Sequence, residues 1–450
     1  MAFNIIFAEF NGWRRIMIKI NSISAIKEKI INEAFINNHR SKPDDFTRNR
    51  TLTFQAVFIQ IFRKTVKSLQ LSLNETFMSG YLPNPVSASA YTQARSKFKH
   101  TAFIELNNDI VRLFYSEDNA IKKWNNYRCI GVDGSKIILP KSTEIADEFG
   151  SISIKNQTVH SSFSCAMFEC YYDVLNQMVI HSMFAHGLSY EAELATQMLG
   201  ATMEHDLLIL DRAYASYEFI ATLIEQGKNY LIRCPYSSFK EVSLLTRDTK
   251  NWSKIVTLKV PSKQKKNIVG KGLPLEIKVR LVSVILSTGE VEILATSIMD
   301  KSIERKEFKW LYGVRWGVET FFSIVKGRLC LENFTGKTPE SVKQDFWSTI
   351  FISNLETVMT QGTENEMNAN LQQGQYAKKV NTSVSFNTIK NMAFELFVDD
   401  NDAESTVEKM TILFKMNPSL DRIGREGPKR KKTSDLQSYN FQKRVKKHVF

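Results

Sequence analysis

The chain has 450 residues, of which 43% are apolar and 24% are charged, so it is long enough for two or three domains and is not a disordered protein. Lys and Arg outnumber Asp and Glu by 60 to 47, and the net charge of +13 favours a polyanionic partner, with nucleic acid first and an anionic membrane surface second. No apolar run is long enough to predict a membrane span.

The first 120 residues have the apolar spacing of helices. FQAVFIQIFRKTVKSL (54–69) has apolar residues three and four positions apart. In VSASAYTQARSKFKH (86–100), either Ser87 or Ser89 is expected to cap a short basic helix. This region is therefore predicted to be helical.

Strand and helix patterns alternate after residue 120. A strand-like segment begins at YRCIGVDGSKIILP (127–140), and DLLIL (206–210) and NYLIRC (229–234) are apolar runs typical of buried strands. Helical patterns lie near 189–203 and at 216–226. The alternation predicts a mixed α/β sheet with helices on its faces.

The pattern changes to short β-type runs between residues 236 and 300. Residues 254–280 carry eight Lys or Arg against one Glu, and we interpret this part of the chain as a basic, β-rich insertion. Helices are predicted near 383–397 and 404–415. The tail, residues 422–447, has ten Lys or Arg and two acidic residues, and is predicted to be disordered until it meets an anionic partner.

The segment WLYGVRWGVETFFSIVKGRL (310–329) is predicted to be a mostly apolar helix with one polar stripe. At about 100° per residue, Tyr312, Arg315, Glu319 and Lys326 fall on the same side. An exposed Arg315–Glu319 ion pair is the simpler interpretation, but Arg before Glu is the less favourable order and the neighbours are bulky and apolar. The stripe is therefore interpreted as facing a polar site.

Two aspartates follow apolar, strand-like runs. Asp133 follows Cys-Ile-Gly-Val and Asp211 follows Leu-Leu-Ile-Leu. With Glu319 they would supply the oxygen ligands that Mg²⁺ or Mn²⁺ prefers, and two such ions support phosphodiester cleavage. Two alternatives remain open, because Asp133-Gly134 also suits a type I′ hairpin turn and Asp211 also suits a cap or the start of a loop.

The spacing of the polar stripe resembles a known signature. Tyr312, Arg315, Glu319 and Lys326 match the Y-(2)-R-(3)-E-(6)-K pattern of IS4-family transposases. GVDGSKIILP (131–140) and LDRAY (210–214) are similar to the segments that carry the first and second catalytic aspartates of that family. TRNRTLTF (47–54) and the basic tail are similar as well, so the resemblance covers nearly the full chain.

The resemblance implies an α/β fold with an RNase H-like mixed-sheet catalytic core, interrupted by a β-rich insertion and preceded by a helical N-terminal DNA-binding region. The expected boundaries are 1–120 for the N-terminal region, 121–235 and 301–360 for the two parts of the core, 236–300 for the insertion, and 361–450 for the helical C-terminal region and tail.

The resemblance also implies the chemistry. Asp133, Asp211 and Glu319 would be the catalytic residues and would hold two ions of Mg²⁺ or Mn²⁺. The activity would be metal-dependent cleavage at the ends of an insertion sequence and strand transfer by 3′-OH attack. The residues expected to contact DNA are Tyr312, Arg315, Lys326, Arg212, Arg95 and Lys97.

The implied partners are double-stranded DNA, as terminal inverted repeats and as target, and a second copy of the chain in a homodimeric DNA complex, without a membrane. The five cysteines lack a C-x-x-C pair and are expected to be reduced core thiols. Together with the absence of a signal-peptide pattern, they predict a bacterial cytoplasmic, nucleoid-associated protein.

Two further motifs are not interpreted as functional sites, and two alternative functions remain open. TGKT (335–338) lacks the earlier Gly of a phosphate loop because residue 331 is Leu, and His160, His181 and His186 have no cysteine pair to complete a zinc site. The competing hypotheses are a DNA-binding protein without catalysis, such as a domesticated copy, and an RNase H-like nuclease that cuts without strand transfer.

Overall fold

A computed structural model describes residues 2–48, 50–65, 67–116, 121–155, 160–248, 250–286, 288–399 and 402–421. The chain forms two compact units. Met1–Ala120 with Val325–Phe450 is the helical unit, and Ile121–Ile324 is the sheet unit. The basic tail predicted for 422–447 lies outside the described residues.

The helices of the described residues are listed in chain order. They are α1 (Ala2–Ile31), α2 (Glu33–His39), α3 (Phe54–Arg63), α4 (Leu69–Met78), α5 (Ala88–Arg95), α6 (Thr101–Phe114), α7 (Thr143–Phe149), α8 (Glu191–Met198), α9 (Tyr217–Glu225), α10 (Lys240–Arg247), α11 (Lys265–Gly270), α12 (Arg305–Val314), α13 (Trp316–Ser323), α14 (Pro339–Thr360), α15 (Thr363–Asn368), α16 (Thr382–Asn391), α17 (Ala393–Phe397) and α18 (Ala403–Met416).

The strands of the described residues are also listed in chain order. They are β1 (Arg128–Ile138), β2 (Ser151–Lys155), β3 (His160–Asp173), β4 (Met178–His186), β5 (Asp206–Leu210), β6 (Asn229–Cys234), β7 (Ser253–Lys259), β8 (Glu276–Ile285), β9 (Val291–Thr296), β10 (Ala377–Lys379) and β11 (Ser419–Asp421).

One mixed sheet forms the centre of the sheet unit. Among the described residues it has nine strands in the order β2-β3-β1-β5-β6-β9-β8-β7, with β4 paired to β3. β1 is antiparallel to β3 and parallel to β5, and β5 is parallel to β6. The mixed α/β sheet is confirmed, and its antiparallel strands followed by parallel ones have the order of an RNase H-like core.

The strands predicted for the basic insertion extend this same sheet. β9 is antiparallel to β6, with Ile232 opposite Ala295, and β8 and β7 continue the sheet beyond it. The segment is therefore β-rich, as predicted, but its strands join the sheet of the core by backbone hydrogen bonds.

The helical unit has an aromatic core, and α14 packs against α3 and α6. Phe58 stacks on Phe103 with ring centroids 5.0 Å apart, and Phe62 meets Phe351 and Phe397 edge-on. The helical N-terminal region is confirmed, and Ser87 caps α5 by accepting a hydrogen bond from the Ala90 N–H at 3.1 Å. Residues 325–360, which the sequence analysis assigns to the second part of the catalytic core, fall within the compact helical unit.

Segment 310–329 differs from the single helix predicted for it. α12 ends at Val314, α13 begins at Trp316, and Ile324–Arg328 forms a π-helical turn. Gly313 and Gly317 flank the break, and glycine weakens a helix because it loses the most backbone freedom on folding. The backbone is therefore not one ideal helix, although Arg315 still contacts both Tyr312 and Glu319 across the break.

The remaining expectations concern cysteines and membrane spans. All five cysteines are free, and Cys129, Cys165, Cys170 and Cys234 are buried, as predicted for core thiols. Within the described residues, we find no helix with the length and apolar character that crossing a bilayer requires.

Candidate active site

The two candidate aspartates follow paired residues of adjacent parallel strands. Val132 of β1 lies opposite Leu210 of β5, and Asp133 and Asp211 come directly after them. Because equivalent residues of parallel neighbours point to the same face of a sheet, this register directs the two carboxylates to the same face.

The structure decides between the alternatives left open for each aspartate. β1 continues through Asp133 and Gly134 to Ile138 in pairing with β3, so the alternative of a hairpin turn at Asp133-Gly134 is wrong. Asp211 does cap a turn, because its Oδ1 accepts a hydrogen bond from the Ala213 N–H at 2.7 Å. This cap fixes one oxygen of the carboxylate at the end of β5.

Glu319 is carried to β1 by close helix-to-strand packing. An added Cβ on Gly131 of β1 would lie 3.4 Å from Val318 Cβ and 2.9 Å from Val174 Cγ1. The glycine therefore allows α13 to approach β1 two residues before Asp133. Glu319 follows Val318 directly and is 29% exposed.

Arg315 connects Glu319 to Asp133. Its Nη2 donates to Glu319 Oε1 at 2.8 Å, and its Nη1 lies 3.8 Å from Asp133 Oδ2. The side chain is only 10% exposed, and its guanidinium lies 5.6 Å from the ring centroid of Tyr312. The Arg315–Glu319 ion pair that was weighed as an exposed alternative is thus present, but its Arg315 side chain is buried.

Burial opposes the ionisation of Asp133, and the charges around it act in both directions. Burial raises the pKa of Asp133 to about 7, Arg315 acts against this rise, and the negative charges of Asp211 and Glu319 add to it. Asp133, Asp211 and Glu319 therefore interact electrostatically, although they are far apart in the chain.

The three acidic residues are of the chemical type that binds a hard divalent cation, as the resemblance to IS4-family transposases implies. Carboxylate oxygens are the preferred ligands of Mg²⁺ and Mn²⁺, and such an ion would relieve the repulsion felt by Asp133. As the described side chains stand, no three acidic, His or Cys residues are close enough to hold a metal ion. Arg315 lies between Asp133 and Glu319, where a cation would neutralise both.

The other residues predicted to contact DNA near this site, Arg212, Tyr312 and Lys326, differ from one another in exposure. Arg212 is exposed beside Asp211, as a phosphate contact requires. Tyr312 is largely buried, and burial raises its pKa. Lys326 belongs to the helical unit, where it is half-buried and burial lowers its pKa.

The surroundings of Arg95 correct its prediction as a DNA contact. The side chain is 8% exposed, and its guanidinium donates to Asp345 Oδ1 at 2.9 Å and to Thr335 Oγ1 at 2.6 Å. Gln344 and the Ser341 carbonyl accept further hydrogen bonds from it. Arg95 therefore joins α5 to α14 inside the helical unit.

Lys97 keeps the exposure that a DNA contact requires. It is 39% exposed and forms an ion pair with Asp45 at 3.2 Å. It lines a cleft of about 490 Å³ together with Arg48, Arg50 and Gln93, which we call the basic cleft. Arg48 and Arg50 belong to the family-like segment TRNRTLTF (47–54), but they were not among the residues predicted to contact DNA.

Two acidic residues near the aspartates were not predicted. Glu169 of β3 is fully buried opposite Gly134, and Glu191 begins α8. A single Glu inside the apolar run CAMFECYY (165–172) was a usable signal, because a charged residue in a buried strand needs a reason. Glu191 gave no comparable signal.

The fold and the site define the class of this protein. A mixed sheet that brings an aspartate from each of two adjacent strands towards a helical glutamate is the arrangement of an RNase H-like protein with an acidic active site. The transposase DDE domain family model matches residues 124–355, about half of the chain. The chain belongs to this family.

The chain is also similar to individual proteins. Transposase InsG for insertion sequence element IS4 of Escherichia coli (strain K12) is 25% identical over 192 residues, which is 41% of this chain. The chain spans 42% of the length of that curated relative. The piggyBac transposase synaptic complex with hairpin DNA, a cryo-EM structure, aligns with 96% of this chain and 88% of its own at 11% identity and a TM-score of 0.43.

Proposed function

We propose that the chain is the DNA transposase of an insertion sequence, which cleaves phosphodiester bonds at the element ends and joins them to target DNA by 3′-OH attack. Membership of the transposase DDE domain family supports this function. The observation that carries it is the register of β1 and β5, because it puts Asp133 and Asp211 at equivalent points of neighbouring strands.

Asp133, Asp211 and Glu319 are the proposed catalytic residues and the proposed ligands of two Mg²⁺ or Mn²⁺ ions. Bound divalent metal activates the attacking oxygen and stabilises the leaving oxygen in this class of reaction. Arg315 holds Glu319 and Asp133 in position in the free protein, as its contacts of 2.8 and 3.8 Å indicate. With DNA bound, Arg315 and the exposed Arg212 contact the phosphates beside the scissile bond.

The proposed DNA interface has further contributors. The ring of Tyr312 packs against the Arg315 guanidinium, whose centre lies 5.6 Å from the ring centroid, and so helps to position Arg315. Lys326 is proposed as a phosphate contact because of its place in the signature. The basic cleft of Arg48, Arg50 and Lys97 supplies backbone contacts from the helical unit. The remaining partners are the terminal inverted repeats, the target DNA and a second copy of the chain in the DNA complex.

A cleavage and joining assay with Mg²⁺ and a duplex carrying the element's terminal repeat tests the function. Asp133→Asn and Glu319→Gln are expected to lower cleavage at least a hundredfold, because each removes one charged ligand. Glu204→Gln is the matched control, since Glu204 is exposed near the start of β5, and it is expected to cleave normally.

The outcomes separate the competing functions. Cleavage that is unchanged in Asp133→Asn and Glu319→Gln would contradict the proposed catalytic residues. Cleavage without joined products would identify a nuclease, and salt-sensitive DNA binding without cleavage under any divalent metal would identify a non-catalytic DNA-binding protein.

A further inference from the structure

Arg233 continues the row of the two candidate aspartates across the sheet. The register of β1 and β5 aligns Asp133 with Asp211. In the next pair of parallel strands, Leu210 of β5 lies opposite Ile232 of β6. Arg233 follows Ile232 directly, as Asp211 follows Leu210. The register therefore directs a cation to the same edge of the sheet as the carboxylates, roughly 10 Å from Asp133 across two strand spacings.

The packing of α12 identifies the face of the sheet to which this row points. Ile209 of β5 and Leu231 of β6 belong to one buried apolar cluster with Leu311 of α12. Alternate residues of a strand point to the same face, so Asp211 and Arg233, two residues further on, point to the face that α12 covers. The chain continues from α12 into α13, which carries the candidate glutamate.

Arg233 is a partly exposed cation with one acidic partner. Its Nη2 forms an ion pair with Glu292 of β9, and the Glu292 side chain is 9% exposed whereas that of Arg233 is 36% exposed. Within the described part of the chain, no atom accepts a hydrogen bond from its Nε or Nη1. A guanidinium has five N–H donors in a rigid fork, so Glu292 holds the side chain and leaves donors for a second anion.

Tyr312 connects the environment of Arg233 with that of Arg315. Burial raises the pKa of Tyr312, and the positive charges of Arg315 and Arg233 act against this rise. Arg315 also packs against the Tyr312 ring. Arg233 therefore extends the positive charge of Arg315 towards β6.

We propose that Arg233 is a further DNA contact of the active site, which binds a backbone phosphate beside the scissile bond while Glu292 holds its side chain in position. The inference rests on the proposed function, because its ligand is the DNA that is cleaved. An arginine fork matches the oxygens of a phosphate group. Since two strand spacings separate Arg233 from Asp133, its ligand is a phosphate neighbouring the scissile one.

DNA binding by the full-length protein without metal tests this proposal. Fluorescence anisotropy at several salt concentrations would compare the wild type with Arg233→Gln, Arg233→Lys and Lys228→Gln on a duplex carrying the terminal repeat. Lys228 is the matched control, because it is a cation directly before β6, at the opposite end of that strand. Arg233→Gln is expected to lower the slope of log affinity against log salt by about 1, and the other two variants to keep the wild-type slope.

A double variant separates the loss of a DNA contact from a loss of stability. Arg233→Gln leaves the buried Glu292 without its partner, whereas Arg233→Gln combined with Glu292→Gln removes both charges and keeps the net charge. The double variant is expected to melt near the wild-type temperature with the same lowered slope. A wild-type slope for the folded double variant would overturn the role of Arg233 and leave the proposed function intact. Absence of salt-dependent binding by the wild type would contradict the proposed function itself.

A second measurement localises the contact independently of affinity. An iron chelate attached to Arg233→Cys generates hydroxyl radicals that cut nearby DNA when ascorbate is added. Cuts close to the end of the terminal repeat are expected from position 233, and none above background from the control Lys228→Cys. Equal cutting from both positions, or none from either, would overturn the proposal.

Discussion

Asp133 is the residue at which the fold and the proposed chemistry conflict most. Its carboxyl group is buried, and two further acids raise its pKa, so its surroundings in the protein disfavour the charged form that a metal ion requires. Groups that cost stability when ionised are frequent at functional sites, where a ligand supplies the missing charge. The raised pKa of Asp133 can therefore be tested by measuring protein stability, without any DNA substrate.

The pKa of Asp133, about 7 against an ordinary 3.8, predicts the sign of a pH effect. Between these values the folded protein keeps a proton that the unfolded chain releases, so the free energy of unfolding falls as the pH rises from about 4 to 7. Asp133→Asn removes this loss. The difference in free energy of unfolding between Asp133→Asn and the wild type is therefore expected to be on the order of 2 kcal/mol more favourable to the variant at pH 8 than at pH 5. Urea unfolding without added metal measures this difference.

The control for this prediction is Glu204→Gln, which is expected to show no pH-dependent gain because Glu204 is exposed. A gain for Asp133→Asn that is equal at pH 5 and pH 8 would contradict the raised pKa.

Glu169 gives a second prediction at the same scale. Burial raises its pKa to about 9, so it is neutral at physiological pH, and Tyr214 bonds to it. Glu169→Gln keeps the shape and is neutral without taking up a proton on folding, so it is expected to be as stable as the wild type or more stable at pH 8. Glu169→Ala leaves a cavity and an unpaired Tyr214 hydroxyl, and is expected to lose about 2–3 kcal/mol in chemical denaturation. Equal stability of the two variants would contradict this environment.

At the scale of single elements, the approach of α13 to β1 decides where Glu319 lies. Gly131→Val would introduce a branched side chain where even a Cβ comes within 3.4 Å of Val318. The variant is expected to lower DNA cleavage more than tenfold by displacing α13, while DNA binding is retained. Gly200→Ala is the control because an added Cβ there meets nothing within 4 Å. Full cleavage activity of Gly131→Val would show that this contact does not position Glu319.

The elements also show what sequence could and could not predict. Asp206–Leu210 and Tyr217–Glu225 agree closely with the predicted strand and helix, because local apolar patterns and the Ser216 cap determine them. The break at Arg315 was missed, because an ideal helix was assumed across two glycines. Arg95 was misjudged for a different reason, since the partners that bury it lie about 250 residues further along the chain.

The candidate site, like the secondary structure, was predictable only where local sequence determines it. Three acids could be selected because each follows or interrupts an apolar pattern, but their mutual distances depend on strand register, which sequence does not give. Glu191 was missed for this reason. Only the three-dimensional path of the chain brings α8 beside Gly134.

For the whole molecule, the net charge of +13 predicts DNA binding that weakens steeply with salt. Lys97→Ala is expected to lower the slope of log affinity against log salt by about 1, because one phosphate contact is lost. Arg95→Ala is expected instead to destabilise the protein by about 3 kcal/mol, since it leaves Asp345 buried without its partner. Fluorescence anisotropy at several salt concentrations and thermal melting measure the two effects, and an unchanged slope for Lys97→Ala would contradict its role in the basic cleft.

The antiparallel pairing of β9 with β6 has a consequence for shortened versions of this chain. β9 supplies the hydrogen-bond partners along one edge of β6. Removing residues 236–300 would therefore leave a row of unpaired amide and carbonyl groups along β6. Such an exposed margin recruits strands from other molecules. Shortened versions of this chain therefore need a substitute edge at β6, and deletion of residues 236–300 alone should yield aggregates instead of a minimal enzyme.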